Sequence, residues 1–216
     1  PIVGCKTLTI SLSGLLGGHS GVGINKGHAN ALVSIATLLA MLRQGGVSYR
    51  VASFSGGQAK NAIPAFGTAT IVLSATEEDR AKAIIETFRA EFVEAFGNIE
   101  SDMVFTTTFG DTAPARVLTG EVGYGMVGLM TTDPNTVHTM SPFIDGLGES
   151  SANLGVVSVD EDMVRFTVFA RSSVAYQATQ IGVICSALAN SFGFTFDSEG
   201  HVPGWAVNPN SKLTHI

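Results

Sequence analysis

The chain has 216 residues, of which 45% are hydrophobic and 14% charged, and its formal net charge is −6. This composition excludes an intrinsically disordered chain, because such chains combine few apolar residues with a high net charge. With 18 acidic against 12 basic residues, the chain lacks the basic surface that binds a phosphate backbone, so no nucleic-acid partner is expected. The length allows one large domain or two small ones.

The cysteines, the apolar runs and the N-terminal sequence bear on the compartment. Cys5 and Cys185 form neither a CxxC motif nor a zinc-knuckle spacing, so we interpret them as core thiols of a protein from a reducing compartment. The apolar run 29–42 is interrupted by polar residues and falls short of the roughly 20 residues that span a bilayer. The first residues, PIVGCKTLTI, lack an initiator Met and a signal-peptide layout. We therefore expect a cytoplasmic protein without a membrane partner, of which this chain is an internal part.

The first predicted elements are a strand, a Gly-rich loop and a helix. Residues 6–12 alternate between apolar and mainly hydroxyl side chains, which is the pattern of a half-buried strand. The loop GLLGGHSGVGINKG follows. Apolar residues then recur at helical spacing over 32–42, until Gly45 and Gly46 end the predicted helix.

A hairpin-like strand pair, a second helix and a further strand come next. The β-rich runs 49–54 and 68–73 are separated by GGQAKNAIPAFG and predict the strand pair with its long loop. Thr76, followed by acidic residues, predicts the start of a helix that ends at Gly97. Residues 103–109 predict another strand.

The second half is predicted to have a similar order of strands and helix. Residues 124–130 predict a strand, and a Pro-containing loop follows over 132–142. The strands 154–159 and 163–169 flank an acidic turn, and a third amphipathic helix is predicted over 181–192. The shared order of elements favours an internal duplication of an α+β unit.

Three common catalytic patterns do not occur in the sequence. The five histidines form no HxxxH or HxD pair, so no self-contained metal site is expected. The nucleophile elbow GxSxG around Ser20 would need Gly at the position of Val22. The Gly-rich loop matches neither GxGxxG nor GxxxxGK[ST], the patterns that bind dinucleotides and phosphates.

Three polar residues remain as candidates, each with a structural alternative. His19 at the tip of the Gly-rich loop can serve as a hydrogen-bond donor or proton carrier, or it can simply bond to its own turn. Arg171 follows an apolar strand and can hold a carboxylate through two parallel bonds, or it can be solvated. Asn61 precedes Ala-Ile-Pro and is by default a turn residue. From the residues alone we expect an α+β domain with a polar loop cluster.

Four segments occur in a recognisable order: GLLGGHSGVGINKGHANA, KNAIPAFGTATIVL, FARSSV with the helix after it, and VPGWAVNPNSKL. In this order they resemble the Xaa-His dipeptidases, also called aminoacyl-histidine dipeptidases, of the M20 metallopeptidase family. The resemblance spans essentially the whole chain, and GGHSG followed by NAIP is its most specific part.

The resemblance implies a domain assignment. Family members are about twice as long and contain a di-zinc catalytic domain that is interrupted by a lid, or dimerisation, domain. This chain resembles the lid alone, over residues 1–201, with related halves 5–110 and 116–201 and a linker 202–216 toward the catalytic domain. The implied fold is α+β and ferredoxin-like, an antiparallel sheet with helices on one face. Zinc is expected in the catalytic domain and none in this chain. The implied partners are that catalytic domain, a dipeptide and a second copy of the protein.

The resemblance also implies roles for individual residues. His19 would stabilise the oxyanion formed during peptide hydrolysis, while Asn61 and Arg171 would bind the substrate backbone and its C-terminal carboxylate. Four glycines would shape the surrounding loops: Gly18 and Gly21 at His19, and Gly56 and Gly57 beside Asn61. A departure from the family pattern is Ala65-Phe66 after NAIP, where the family commonly has a charged residue.

Two alternatives stay open on the sequence. The chain can be a non-catalytic ferredoxin-like module for ligand binding or dimerisation, in which His19 and Arg171 are merely structural. It can also be the lid of another M20 peptidase that acts on tripeptides or acyl-amino acids. As an isolated lid the chain is expected to be inactive.

Overall fold

Four helices and nine strands make up the computed structural model, which describes residues 4–112, 114–160, 163–200 and 204. The first half contains β1 (Cys5–Ser13), β2 (Gly18–His19), α1 (Ala31–Gln44), β3 (Tyr49–Gly56), β4 (Ala62–Ile63), β5 (Gly67–Ser74), α2 (Glu78–Phe96) and β6 (Val104–Gly110). The second half contains α3 (Gly120–Thr132), β7 (Thr136–Met140), β8 (Gly148–Val159), β9 (Val164–Ser172) and α4 (Ala175–Ser191). Short 3-10 turns lie at Ile24–Lys26 and Ala75–Glu77.

Seven of the strands form one antiparallel sheet. In the first half the strand order is β6-β1-β5-β3, and the chain order β1-α1-β3-β5-α2-β6 is the ferredoxin-like arrangement. The long strand β8 joins β3 near its C-terminal end, β7 near its N-terminal end, and β9 along most of its length. The remaining strands, β2 and β4, form a separate two-stranded sheet.

The two faces of the sheet differ in chemistry, which places the core. On β1, Leu8 and Ile10 are fully buried, whereas Thr9 and Ser11 bond across to Thr70 and Thr68 at 3.2 and 3.1 Å. Helix α1 packs on the apolar face and contacts α2 and α3, so the helices form a layer on that side. The predicted α+β fold with an antiparallel sheet is confirmed.

Helix α1 is the central element of this layer. Asn30 caps it, because its Oδ1 accepts hydrogen bonds from the N–H groups of Leu32 and Val33. Seven of its side chains are buried, since apolar residues recur on its inner face. The predicted strand pair over 49–54 and 68–73 is also confirmed, as β3 and β5 pair antiparallel.

The predicted strand over 124–130 is wrong, because this segment lies in α3. Its buried residues Gly123, Met126, Val127 and Met130 follow helical spacing. The glycines that lower its helix propensity serve packing instead: a Cβ on Gly128 would lie 2.3 Å from Cε1 of Phe192. Helix propensity is a property of the local sequence and does not include this packing against Phe192, so the helix was not predicted.

Three further expectations need adjustment. The predicted loop 132–142 contains β7, and α4 begins at Ala175, before the predicted start. Cys5 and Cys185 are free and only half-buried, so they are not core thiols.

The suggested linker 202–216 lies outside the described residues except for Gly204. The relation between the halves 5–110 and 116–201 stays a prediction. None of the described helices is both long and apolar enough for a membrane span.

Candidate functional site

The small sheet β2–β4 brings the two motif loops together. Gly18 pairs with Ile63 and His19 with Ala62, and the N–H of Ser20 donates to the carbonyl of Asn61 at 3.0 Å. The GGHSG loop and the NAIP loop are therefore neighbours, although the helix α1 and the strand β3 separate them in sequence.

Arg171 reaches this site from the second half of the chain. It lies on β9, and its Nη2 is 3.4 Å from Nε2 of His19. Its guanidinium also stacks over the ring of Phe169 at 4.5 Å from the centroid. Desolvation by burial lowers the pKa of Arg171. Thus the structure brings together two of the three candidates, one from each half.

The hydrogen bonds of His19 decide which ring nitrogen carries the proton. Its Nδ1 accepts from the N–H groups of Gly21 and Val22 at 3.1 and 3.3 Å, so in the neutral ring the proton lies on Nε2. Nε2 then faces Arg171 Nη2, which is also a donor. Two donors so close together are both satisfied when one oxygen acceptor lies beside them, within hydrogen-bond distance of each.

The Nε atom of Arg171 is a further hydrogen-bond donor that needs an acceptor. Its Nε is buried and has no hydrogen-bond partner among the described residues, and no carboxylate of the described residues forms an ion pair with Arg171. Buried donors without partners are costly and uncommon in proteins. The geometry is therefore suited to an anionic ligand such as a carboxylate or an oxyanion.

Asn61 is exposed, and its position depends on a residue that the sequence analysis missed. Asn153 on β8 is fully buried, and its Nδ2 donates to the carbonyls of Lys60 and Ala62 at 3.2 and 2.8 Å. These bonds hold the backbone on both sides of Asn61 against the sheet. The signal in the sequence is weak: Asn153 lies between Ala152 and Leu154, but the same strand also contains Glu149 and three serines.

The glycines at His19 give its ring the space it occupies. A Cβ on Gly21 would lie 3.1 to 3.2 Å from the His19 ring and 3.3 Å from Cδ of Arg171. Gly18 has φ +127°, a backbone conformation that other residues rarely adopt. Gly56 and Gly57 instead pack against backbone, since Cβ atoms there would meet Gly67 Cα at 2.7 Å and Gly155 O at 1.9 Å. That these two leave room beside Asn61 stays a prediction.

The residues of this site do not fit a metal. Within the described ranges, no three His, Cys, Asp or Glu side chains gather as ligands. The ring of His28 bonds to the carbonyl of Gly17, and His138 Nε2 lies 3.1 Å from the carbonyl of Pro134. The site thus offers hydrogen-bond donors and positive charge, not metal ligands.

Comparison with known proteins adds three findings. Residues 10–100 match the model of the M20 peptidase dimerisation domain. The chain is 27% identical over 215 residues to the cytosol non-specific dipeptidase of Escherichia coli (strain K12), which corresponds to 99% of this chain and 44% of that protein. It is similar to the crystal structure of the aminoacylhistidine dipeptidase from Vibrio alginolyticus, with a TM-score of 0.92 and 28% identity over 100% of this chain and 44% of that one. The chain spans less than half the length of both relatives.

Proposed function

We propose, on the premise that this chain contains the dimerisation domain of an M20 peptidase, that it is the lid, or substrate-recognition, domain of a zinc-dependent dipeptidase that hydrolyses Xaa-His dipeptides such as carnosine. The observation that carries the proposal is the pair of converging donors, His19 Nε2 and Arg171 Nη2, 3.4 Å apart. The proposal also includes a cytoplasmic location, a homodimer, and a catalytic domain as the partner that the lid covers.

The two donors have different tasks in this proposal. Arg171 holds the C-terminal carboxylate of the dipeptide, because a guanidinium can donate two parallel hydrogen bonds to it. A carboxylate one residue beyond the scissile bond distinguishes a dipeptide from a longer peptide, so Arg171 selects substrate length. Asn61, fixed through its neighbours by Asn153, binds the substrate backbone.

His19 donates from Nε2 to the oxygen of the scissile carbonyl as negative charge develops on it. Its Nδ1 is held by two backbone N–H groups, so the ring is oriented before the substrate arrives. Preorganised donors of this kind contribute to catalysis without reorganisation at the moment of reaction.

The metal ions belong to another part of the proposed enzyme. Since the described residues of this chain do not form a ligand set, no step assigned here to His19, Asn61 or Arg171 passes through a metal. For the same reason we expect the chain of this sequence alone to be inactive. Purified chain mixed with zinc and β-alanyl-histidine or glycyl-histidine should release no histidine, and clear turnover would contradict the proposal.

A second candidate differs in substrate range. The Escherichia coli relative is called a non-specific dipeptidase, which favours a lid that accepts many dipeptides over one restricted to C-terminal histidine. The contacts proposed for His19, Asn61 and Arg171 involve atoms that all dipeptides share. Comparing kcat/KM for glycyl-histidine and glycyl-leucine in the longer protein separates the two candidates, because only the first predicts a strong preference for histidine.

The roles of the two donors are tested in the longer protein that carries this chain. We expect His19→Ala to lower kcat by roughly 100-fold or more, as loss of an oxyanion donor does elsewhere. We expect Arg171→Ala to raise KM by about 10- to 100-fold with a smaller change in kcat, since it removes charge-assisted bonds to the substrate. Arg165→Ala, on the same strand and exposed, is the matched control. Unchanged kinetics in both site variants would favour the non-catalytic module instead.

A further inference from the structure

Glu100 lies in the turn between α2 and β6 and is almost wholly buried, with 1% of its surface exposed. Its backbone is held on both sides, because its N–H donates to the carbonyl of Phe96 at 2.8 Å and its own carbonyl accepts from the N–H of Met103 at 3.1 Å. No Lys, Arg or His of the described chain forms an ion pair with it. A buried carboxylate without a counter-ion is costly unless its oxygens accept hydrogen bonds.

The two oxygens of this carboxylate close the base of the loop that carries His19. Oε2 accepts from the N–H of Leu16 at 2.6 Å, and Oε1 accepts from the N–H of Ala29 at 2.9 Å. Leu16 comes directly before the Gly-Gly-His turn, and Ala29 comes directly before the cap of α1. One side chain therefore holds both ends of segment 17–28, through bonds that are stronger than neutral ones.

The pairing of β2 with β4 holds the middle of this segment, and Glu100 fixes its two ends. Gly17 and Gly18 have φ +61° and +127°, and glycines leave the backbone free to adopt many conformations when nothing holds it. Within the loop, the carbonyl of His19 accepts from the N–H of Gly23 at 2.9 Å. The bonds from Gly21 and Val22 to the His19 ring form only when the loop keeps this shape.

We infer that Glu100 is a positioning residue for His19: by fixing Leu16 and Ala29 it sets the place of the imidazole against Arg171. It touches neither the ring nor the guanidinium, so it acts through the loop backbone. The consequence for catalysis rests on the proposed function, whereas the position of the ring can be measured without it.

The test is NMR spectroscopy of the chain carrying Glu100→Gln. Glutamine keeps the volume of glutamate but replaces one acceptor oxygen by an NH2 group, which then faces a backbone N–H. We expect the amides of Gly21 and Val22 to exchange with solvent about 10- to 100-fold faster, and the His19 ring signals to shift. The amides of β5 should be unchanged. Glu77→Gln is the matched control, because Glu77 also accepts a backbone N–H, from Ser48 at 3.0 Å.

The result that would overturn the inference is a folded Glu100→Gln chain with unchanged exchange at Gly21 and Val22. If that variant does not fold, the inference is tested on the unmodified chain instead. Amide exchange in low denaturant should then show Leu16, Ala29, Gly21 and Val22 opening together. The positioning role would be refuted if the amides of Leu16 and Ala29 opened separately from those of Gly21 and Val22, in either order.

A kinetic measurement extends the test to the longer protein. There, Glu100→Gln should lower kcat by roughly 10-fold with little change in KM, while Glu77→Gln leaves both unchanged. An effect confined to KM would speak against a role through His19. If His19→Ala itself left kcat unchanged, the proposed function would fail, and the exchange data would still decide whether Glu100 positions the ring.

Discussion

Buried polar atoms without a hydrogen-bond partner destabilise the fold, because they have lost their bonds to water and gained none in the protein. Among the described residues there are four such side-chain atoms, and three of them belong to the candidate site: Ser20 Oγ, Asn153 Oδ1 and Arg171 Nε. Their concentration around His19 fits a site built for a polar ligand. The fourth, Oδ2 of Asp133, directly follows the C-terminal end of α3, where the helix dipole also disfavours negative charge.

Asp133 makes the stability of the chain depend on pH. Desolvation by burial raises the pKa of Asp133 from its ordinary value of 3.8 to about 7. Between these values the folded state binds a proton that the unfolded chain has released, so the free energy of unfolding falls as pH rises through this window. Above pH 7 the loss is complete, and it is at most about 4 kcal/mol.

We therefore expect Asp133→Asn to raise the free energy of unfolding clearly at pH 8 and much less at pH 5, because only the charged form is costly. Urea unfolding followed by circular dichroism at the two pH values measures the difference. Asp145→Asn, at an exposed position, should change neither value by more than about 0.5 kcal/mol. A gain at Asp133 that is equal at both pH values would rule out the titration.

At the scale of elements, the site depends on how closely the turn after β3 approaches β8. Gly57 has φ +76°, and a Cβ there would lie 1.9 Å from the carbonyl oxygen of Gly155; a Cβ on Gly155 would lie 2.8 Å from Cα of Lys60. The backbones of the turn and of the strand are thus in direct contact. This contact, together with Asn153, sets the height of the loop that carries Asn61 above the sheet.

We expect Gly57→Ala to lower the free energy of unfolding by about 3 kcal/mol, the sum of left-handed strain and overpacking against backbone. Gly146→Ala is the matched control: Gly146 has φ +70° and nothing within 4 Å of an added Cβ, so only the strain of about 1 kcal/mol applies. Chemical denaturation of both variants measures the two losses. Equal losses would mean that the turn moves away from β8 at little cost.

At the scale of the whole molecule, the two halves share a core and a polar junction. Helix α3 packs on α1, and Met126 and Leu154 from the second half join the apolar cluster of the first. Asn30, the cap of α1, donates to the side-chain oxygen of Asn135 and to the carbonyl of Leu154, both at 3.0 Å. Neither half can therefore unfold without exposing buried surface of the other.

Thermal unfolding of the chain should accordingly be a single cooperative transition. We expect coincident curves by far- and near-ultraviolet circular dichroism, and a calorimetric enthalpy about equal to the van't Hoff enthalpy. Two separated transitions would show that the halves are independent folding units, and the shared core would then contribute little to cooperativity.

Much of the first half could be predicted from the sequence, because its signals are local. The alternation in residues 6–12 and the helical spacing in 32–42 each report one buried face of one element, and both appear as β1 and α1. Helix α3 could not be predicted in this way, since its glycines pack against Arg50, Val51 and Phe192, which are distant in the sequence.

By itself the sequence determined the α+β class, the loop that presents His19 and the family resemblance, because these depend on residue order and spacing. Only the tertiary structure decided that Arg171 lies against His19, that their donors converge, and that Glu100 and Asn153 hold the two loops. The physical reason is that antiparallel pairing and the shared core bring residues from opposite ends of the chain into contact. The local periodicity of a sequence contains no information on such long-range contacts.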